Sequence, residues 1–238
     1  YAGKSNIMLG KKATRVFVAS EGMEKFFPSN KIMITGNPVR ATISNSTVTR
    51  SQGLQLFSLQ EDRRTLLVVG GSLGAKTINE SIGKHLDELT ASGLQLIWQT
   101  GKPYAAKAQE LVAGKNGIWI NDFITQMEFA YAAADIVVAR AGAMTVAELC
   151  VVKKPVLFVP YPFAAEDHQT VNARQLVSRE AAWMVKDSEA LDTLVPMILD
   201  LAGNEAMQKK LTDNIGKLAM TDADNVIARE VLKLIKND

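Results

Sequence analysis

The chain has 238 residues, of which 47% are hydrophobic and 22% charged, enough apolar material to bury a sizeable core. Its formal net charge of +2 argues against a dedicated nucleic-acid-binding protein, in which clustered Lys and Arg would be in clear excess. A single cysteine, Cys150, excludes a disulfide within the chain, and two histidines argue against a structural zinc site. No apolar run reaches the roughly 18 residues of a membrane-spanning helix.

The beginning of the chain is organised differently from the rest. Four short elements are predicted there, in the order helix, strand, helix and strand: residues 4–12, 15–19, 21–27 and 31–35. These strands lack helices for both of their faces, so we expect residues 1–40 to be the tail of a preceding domain. Because Tyr1 is not an initiator methionine, we also expect the chain to be a piece of a longer protein.

A polar segment separates this tail from the regular part of the chain. The turn-forming residues Gly36, Asn37 and Pro38 interrupt the pattern, and we place a linker at residues 36–46. Residues 41–64 are weakly periodic, with a possible helix at 54–59 only. They are interpreted as the linker and the start of a second domain.

From residue 65 onwards strands and helices alternate. The predicted strands are residues 65–69, 94–99, 117–120, 135–140, 155–160 and 181–185. The predicted helices are residues 76–90, 104–112, 124–133, 146–154, a helix from 168, 188–202, 205–219 and 224–236. This alternation predicts an α/β fold with a doubly wound parallel sheet over residues 65–220, followed by a C-terminal helix within 221–238. Ligands of such sheets bind at the carboxyl ends of the strands.

A glycine-rich loop at residues 70–75 follows the first of these strands and opens a helix. Glycines let backbone amides approach an anion, the helix N-terminus favours negative charge, and Ser72 adds a hydroxyl group. The spacing is not that of a dinucleotide-binding fingerprint, and Gln99 and Thr100 stand where such a site needs an acidic residue. The loop therefore indicates either a phosphate site or a tight turn, and disfavours a dinucleotide cofactor.

A second short loop, residues 142–145, precedes a helix at the same edge of the sheet. Glu148 lies about one turn inside that helix, where a carboxylate can simply interact favourably with the helix dipole. Beside an anion site the same carboxylate can accept hydrogen bonds from vicinal ribose hydroxyls. Two phosphate-type loops and one acid together suggest a nucleotide diphosphate.

A third polar cluster consists of Asp167, His168, Gln169 and Asn172. It can cap a helix and present a solvated face, or it can bind the hydroxyl groups of a sugar. His168 has no evident Asp or Ser partner, which argues against a role as catalytic base. Arg40, at the predicted hinge, can reach an anionic ligand or be an ordinary surface residue.

Four motifs occur in an order that resembles the MurG family of bacterial glycosyltransferases. They are GNPVR at 36–40, GGSLGA at 70–75 with Asn79, RAGAMTVAE at 140–148, and DHQT at 167–170 with Asn172. Enzymes of this family transfer N-acetylglucosamine from UDP-GlcNAc to lipid I, the undecaprenyl-diphosphate-linked muramyl-pentapeptide, in peptidoglycan synthesis. The resemblance covers nearly the whole chain.

The resemblance implies a GT-B fold of two Rossmann-like domains, of which this chain carries the C-terminal, donor-binding one and a remnant of the N-terminal one. It implies an inverting transferase with no metal and no cofactor, with UDP-GlcNAc and lipid I as ligands. It also implies peripheral contact of the N-terminal domain with the cytoplasmic face of the bacterial membrane. The family's histidine base would precede Tyr1, so we expect no catalytic residue in this chain, and donor binding without transfer.

The resemblance also implies a role for individual positions. Those expected to contact the diphosphate are Gly71, Ser72, Gly74 and Arg40. Those expected around uracil are the backbone of Ile124 and the side chain of Met127, with Glu148 on the ribose hydroxyls. Those expected to face phosphate and sugar are Gly142, Ala143, Met144 and Thr145, with His168 and Gln169 on the GlcNAc hydroxyls. Ala141 departs from the Ser more common in the family, which weakens the assignment of its loop.

Two alternatives remain open. The chain can belong to another GT-B protein, such as a glycolipid glycosyltransferase or a UDP-GlcNAc 2-epimerase, although an epimerase needs acid/base groups in the cleft and only His168 is offered here. It can also be a stand-alone sugar-nucleotide-binding module that works with a separate acceptor subunit.

Overall fold

The computed structural model describes residues 2–71 and 73–235 and contains two parallel sheets. The small sheet pairs β1 (Val16–Val18) with β2 (Ile32–Ile34). The strands of the large sheet are β3 (Thr65–Val69), β4 (Gln95–Gln99), β5 (Ile118–Asn121), β6 (Ile136–Ala139), β7 (Val156–Phe158) and β8 (Trp183–Met184). Their order, β5-β4-β3-β6-β7-β8, is that of a doubly wound fold, so the predicted α/β class is confirmed.

The large sheet is buried on both faces because its central strands are continuous apolar runs. Leu66 and Val68 of β3 face one core cluster, whereas Leu67 and Val69 face the other, as the two-residue period of a strand requires. Every residue of β3, β4, β6 and β7 is buried. Such strands are stable only when helices cover both faces of the sheet.

The helices were predicted from the same alternation, and most of them lie where expected. In chain order they are α1 (Lys4–Lys12), α2 (Ala41–Ser44), α3 (Arg50–Leu56), α4 (Lys76–Lys84), α5 (Leu86–Ala91), α6 (Ala105–Val112), α7 (Met127–Ala133), α8 (Ala143–Val152), α9 (His168–Val177), α10 (Ala190–Gly203), α11 (Glu205–Gly216) and α12 (Ala223–Ile235). Each helix of residues 2–71 and 73–235 is too short or too polar to cross a bilayer.

Residues 41–64 are more ordered than their weak periodicity indicated. The helix expected at 54–59 is instead α3, which begins four residues earlier because Thr49 and Gln52 form a capping box. Gly53 lets α3 approach α7 closely, since a Cβ there would lie 2.6 Å from the carbonyl oxygen of Phe129. The buried side chain of Leu54 joins the core on one face of the large sheet.

Two helix predictions are wrong. Residues 21–27 form turns, because Gly22 has a left-handed backbone and Pro28 follows at once, which leaves room for only one turn closed by Phe27 N–H on Met23 O at 3.1 Å. The single helix expected at 76–90 is interrupted at His85, whose backbone (φ −111°, ψ 21°) ends α4 and starts α5.

Candidate functional site

A cleft of about 880 Å³ lies at the carboxyl ends of the strands of the large sheet. It is centred on β3 and β6, where the strand order reverses, and we call it the carboxyl-edge cleft. Of the positions predicted as site residues, those in its wall are Arg40, Gly71, Gly74, Ile124, Met127, Gly142, Thr145, Glu148 and Gln169. The fold thus brings together segments that are up to about 130 residues apart in the chain, from Arg40 to Gln169, while Ser72 lies outside the described residues.

The first wall of the cleft is the glycine-rich loop between β3 and α4. Gly71 and Gly74 both have a left-handed backbone, with φ of +83° and +73°. A Cβ on Gly74 would lie 2.1 Å from the carbonyl oxygen of Thr100, so only glycine fits there. Within the described chain no side chain caps the N-terminus of α4 at Ala75, which leaves its first backbone N–H groups available to an anion.

The second wall is the start of α8. Gly142 is its N-terminal cap, and no side chain of the described residues bonds to the amides of its first turn. Thr145 lies in the cleft wall. Ala143 lies instead in the wall of a smaller neighbouring cavity, with its carbonyl oxygen 3.3 Å from Asn37 Nδ2, and Met144 is exposed outside the cleft.

The acid of the cleft is Glu148, in the second turn of α8. Its Oε2 accepts a hydrogen bond from the Tyr131 hydroxyl at 2.9 Å, and its Oε1 lies 3.6 Å from Arg40 Nη2. Tyr131 is 2% exposed, and burial, together with the adjacent carboxylate, raises the pKa of its phenol well above the ordinary 10.0. Tyr131 therefore stays a hydrogen-bond donor and fixes Glu148, whose side chain is 13% exposed and lines the cleft beside the more exposed Arg40.

Gln99 connects the glycine-rich loop to the loop that carries Ile124. Its Nε2 donates to Gly71 O at 2.9 Å, and its Oε1 accepts from Ile124 N at 3.0 Å. Sequence reasoning used Gln99 only as evidence against a dinucleotide site and missed this role. Because the N–H of Ile124 is already bonded, a ligand contacting this peptide would meet its carbonyl oxygen.

The third polar cluster is divided by the structure. Gln169 lies in the cleft wall, where its Oε1 accepts a hydrogen bond from Tyr161 N at 3.0 Å. His168 Nδ1 lies 2.8 Å from Ala165 O, and this ring is outside the wall of the cleft. The preceding Glu166 and Asp167 both have left-handed backbones, a strained arrangement that turns the chain sharply into α9.

An ion pair that sequence reasoning missed lies at the other end of the cleft. Nη1 of Arg140 donates to Asp187 and, at 3.0 Å each, to the carbonyl oxygens of Val159 and Pro160. Oδ2 of Asp187 accepts from the Thr77 hydroxyl at 2.9 Å. Both charged side chains are more than four-fifths buried. Within the residues that the structure describes, no three His, Cys, Asp or Glu side chains cluster closely enough to hold a metal ion.

A doubly wound sheet of this strand order, with uncapped helix starts and a fixed carboxylate around its switch point, places the fold in the Rossmann-like class. A family model, the glycosyltransferase family 28 C-terminal domain, matches residues 65–227. The chain belongs to this family.

Individual relatives have names that agree with the family indicated by the motifs. Proteins named UDP-N-acetylglucosamine–N-acetylmuramyl-(pentapeptide) pyrophosphoryl-undecaprenol N-acetylglucosamine transferase are 46% identical in Phocaeicola vulgatus and 47% identical in Parabacteroides distasonis. The matches cover 98% and 99% of this chain and 63% and 64% of those relatives. The crystal structure of Acinetobacter baumannii MurG is similar with a TM-score of 0.74 and 28% identity, over 100% of this chain and 64% of that one.

These comparisons confirm the resemblance to MurG proteins and the GT-B type of fold. The chain spans a little under two thirds of the length of the relatives that it matches.

Proposed function

We propose that this chain is the donor-binding part of a transferase that moves N-acetylglucosamine from UDP-GlcNAc to lipid I. In this proposal residues 65–220 bind the donor, 41–64 join the domains, 1–40 belong to the acceptor-side domain and 221–238 are the segment that carries the C-terminal helix α12. The names of the relatives support the proposal, as does the cleft described above.

The observation that carries the proposal is that Glu148 lines the same cleft as two uncapped helix starts, those of α4 and α8. A carboxylate held by Tyr131 can accept hydrogen bonds from both ribose hydroxyls, while the N-termini of α4 and α8 offer backbone N–H groups to a diphosphate. Ser72 would add a hydroxyl group to the diphosphate site. Arg40 also lines the cleft, and its only described ion pair is the 3.6 Å contact with Glu148. We therefore propose that it contacts the diphosphate beside the ribose.

The uracil base would lie against the loop of Ile124 and Met127. Since Gln99 occupies the N–H of Ile124, the carbonyl oxygen is the group left to bind a base. Uracil presents an N–H donor on its pairing edge, which matches such an acceptor. Met127, half-buried in the cleft wall, supplies an apolar surface beside it.

The sugar would extend towards Gln169 and Thr145. Gln169 keeps its amide nitrogen for a sugar hydroxyl, because its oxygen is bonded to Tyr161 N. Ala143, Met144 and His168 lie off the cleft wall, so we propose Gln169 as the principal GlcNAc contact of this chain.

For transfer, the acceptor hydroxyl would attack the anomeric carbon with inversion, and UDP would depart. Backbone N–H groups at the two helix starts, with Arg40, would stabilise the charge that develops on the departing diphosphate. The base that removes the acceptor proton would come from the preceding domain. We therefore propose that the chain alone binds the donor and does not catalyse transfer.

Membrane contact would also involve the acceptor side. On α1 the exposed apolar residues Met8 and Leu9 stand beside the basic residues Lys4, Lys11 and Lys12. A surface of this kind can bind the anionic cytoplasmic face of the bacterial inner membrane, where lipid I would be met.

The direct test is calorimetric titration of the chain with UDP-GlcNAc, UDP-Gal, UDP and NAD, without added metal. We expect UDP-GlcNAc to bind most tightly, UDP to follow and NAD not to bind. If none of the uridine nucleotides binds, the proposal for this chain is contradicted.

The sugar assignment is tested by two glutamines of the same helix. Gln169→Ala should reduce the preference for UDP-GlcNAc over UDP and leave the affinity for UDP nearly unchanged. The matched control is Gln175→Ala, because Gln175 faces the smaller cavity on the other side of α9. Equal losses for both nucleotides in Gln169→Ala would show that this residue does not bind the sugar.

A further inference from the structure

A continuous chain of contacts joins the phosphate side of the cleft to its sugar side. It begins at Thr77 in the first turn of α4, passes through Asp187 to Arg140, and reaches the carbonyl oxygens of Val159 and Pro160. The next residue, Tyr161, lies with its ring 5.5 Å from the Arg140 guanidinium carbon. The N–H of Tyr161 in turn holds Gln169.

This chain of contacts also separates two cavities. Beyond it lies a second cavity of about 510 Å³, whose wall includes Arg174 and Lys186. Asp187, Pro162 and Phe163 belong to the walls of both the carboxyl-edge cleft and this second cavity. The Arg140–Asp187 pair is therefore part of the partition that closes the sugar end of the cleft.

We propose that Asp187 is a positioning residue that makes the cleft selective for a nucleoside diphosphate carrying a sugar. It neutralises Arg140 and holds it against the end of β7, which fixes the segment that orients Gln169. Its bond to Thr77 keeps this segment in register with the start of α4. The inference rests on the proposed function, because it assigns a role in binding that donor.

If Asp187 acts in this way, its loss should change the affinities for UDP and for UDP-GlcNAc differently, whereas general destabilisation should lower both. Without the carboxylate, Arg140 becomes a partly buried cation without its partner, facing a cleft proposed to bind a diphosphate. A free diphosphate end can then interact with it, so the affinity for UDP should not fall. The sugar loses its fixed wall, so the affinity for UDP-GlcNAc should fall.

The test is calorimetric titration of the chain and of Asp187→Asn with UDP and UDP-GlcNAc. The substitution keeps the shape of the side chain and removes its charge. We expect the ratio of UDP-GlcNAc affinity to UDP affinity to fall about tenfold, as for the loss of a hydrogen bond to a charged group, with no loss of UDP affinity. Thr77→Val, which preserves the ion pair, should shift the ratio in the same direction by less.

The matched control is Asp135→Asn, which removes a charge from another partly buried carboxylate–arginine pair at the opposite edge of the sheet. It should leave the ratio unchanged, and thermal unfolding of each variant shows how much stability is lost. An unchanged ratio in Asp187→Asn, or a parallel loss of both nucleotides, would overturn the inference. If Asp187→Asn does not fold, an unchanged ratio in Thr77→Val overturns it. Failure of the unsubstituted chain to bind either nucleotide would instead overturn the proposed function and, with it, this inference.

Discussion

The two edges of the large sheet each hold a carboxylate paired with an arginine, and they use these pairs differently. At the amino edge, Asp135 accepts hydrogen bonds from Thr65 N at 2.8 Å and from Arg50 at 3.1 Å. At the carboxyl edge, Glu148 contacts the Tyr131 hydroxyl and the exposed Arg40.

The difference lies in what the partners hold in place. Asp135 bonds the backbone at the start of β3, Arg50 also donates to the carbonyl oxygens of Glu61 and Arg63, and Lys154 donates to Ala134 O at 2.6 Å. The polar side chains of the amino edge therefore form hydrogen bonds that hold the starts of strands and the neighbouring loops together. The carboxyl edge leaves helix starts uncapped and a carboxylate facing a cavity. A paired carboxylate is therefore informative about binding only when its position relative to the strand ends is known.

The largest expected effect concerns the shape of the carboxyl edge. Gly74→Ala should lower the free energy of unfolding by about 3 kcal/mol, because the Cβ would collide with Thr100 O and the backbone has a positive φ. Denaturant unfolding measures this. The control is Gly93→Ala near the amino edge, where φ is +88° and the described residues leave the space open, so that only about 1 kcal/mol should be lost. Equal losses would show that close approach is not what requires Gly74.

At the amino edge, Asp135→Ala should cost about 2.5 kcal/mol of stability, since Thr65 N–H and Arg50 lose their acceptor. The affinity for UDP should not change, because the substitution lies at the opposite end of the strands. Unfolding and titration of the same preparation check both statements. A loss of UDP affinity in the folded variant would show that the two edges are coupled.

At the carboxyl edge a substitution should lower the affinity for UDP more than it lowers the stability of the fold. Glu148→Ala should weaken UDP binding by about 2 kcal/mol, because the acceptor proposed for the ribose hydroxyls is lost. Its effect on stability should be smaller than that of Asp135→Ala, since Glu148 bonds no strand backbone in the described chain. Calorimetric titration with unchanged affinity would remove Glu148 from the binding site.

The smallest effect should appear in the dependence of stability on alkaline pH. The folded protein raises the pKa of Tyr131 well above 10.0, so above pH 10 the unfolded state releases this proton while the folded state keeps it, and stability falls. Burial lowers the pKa of Lys154 at the amino edge, so the change of stability with pH has the opposite sign there: stability rises with pH from the folded pKa of Lys154 up to the ordinary 10.5.

The substitution Tyr131→Phe tests this account. It should cost about 1 kcal/mol of stability at pH 8 through the lost hydrogen bond, and it should reduce the decline in stability above pH 10. An unchanged alkaline slope in urea titrations would contradict this account.

Much of the fold was predictable because the signals are local. Apolar runs such as β3 and the turn-forming glycines between them predicted the alternation of strands and helices. The glycine-rich loops predicted the edge of the sheet at which a ligand binds, and the order of the motifs predicted the family. The interruption at His85 was not predictable, because the helical pattern continues through it. The turns at residues 21–27 were mistaken for a helix because the composition was helical while Gly22 and Pro28 limited the length.

The contacts that organise the site could be predicted only in part. Glu148 was found because a helix start and a carboxylate stand close together in sequence. The partners of Arg140 were missed because Asp187 is 47 residues away from it and 110 residues away from Thr77. Tyr131 lies in an apolar helix, where its hydroxyl gives no pattern. Side chains that meet only through the sheet order leave no trace in local spacing.

The central position of β3 has a consequence for the order in which the chain can fold. β3 pairs on one side with β4 and on the other with β6, which begins at Ile136. Since both pairings of β3 are parallel, no local hairpin can start the sheet; β4 follows β3 by about thirty residues, and the neighbour on the other side follows it by about seventy. The first wall of the cleft follows β3 and the second wall follows β6, so a growing chain that ends before β6 has no complete cleft, and formation of the complete sheet should be slow and cooperative. A fragment that contains only one half of this domain therefore should not form the binding site.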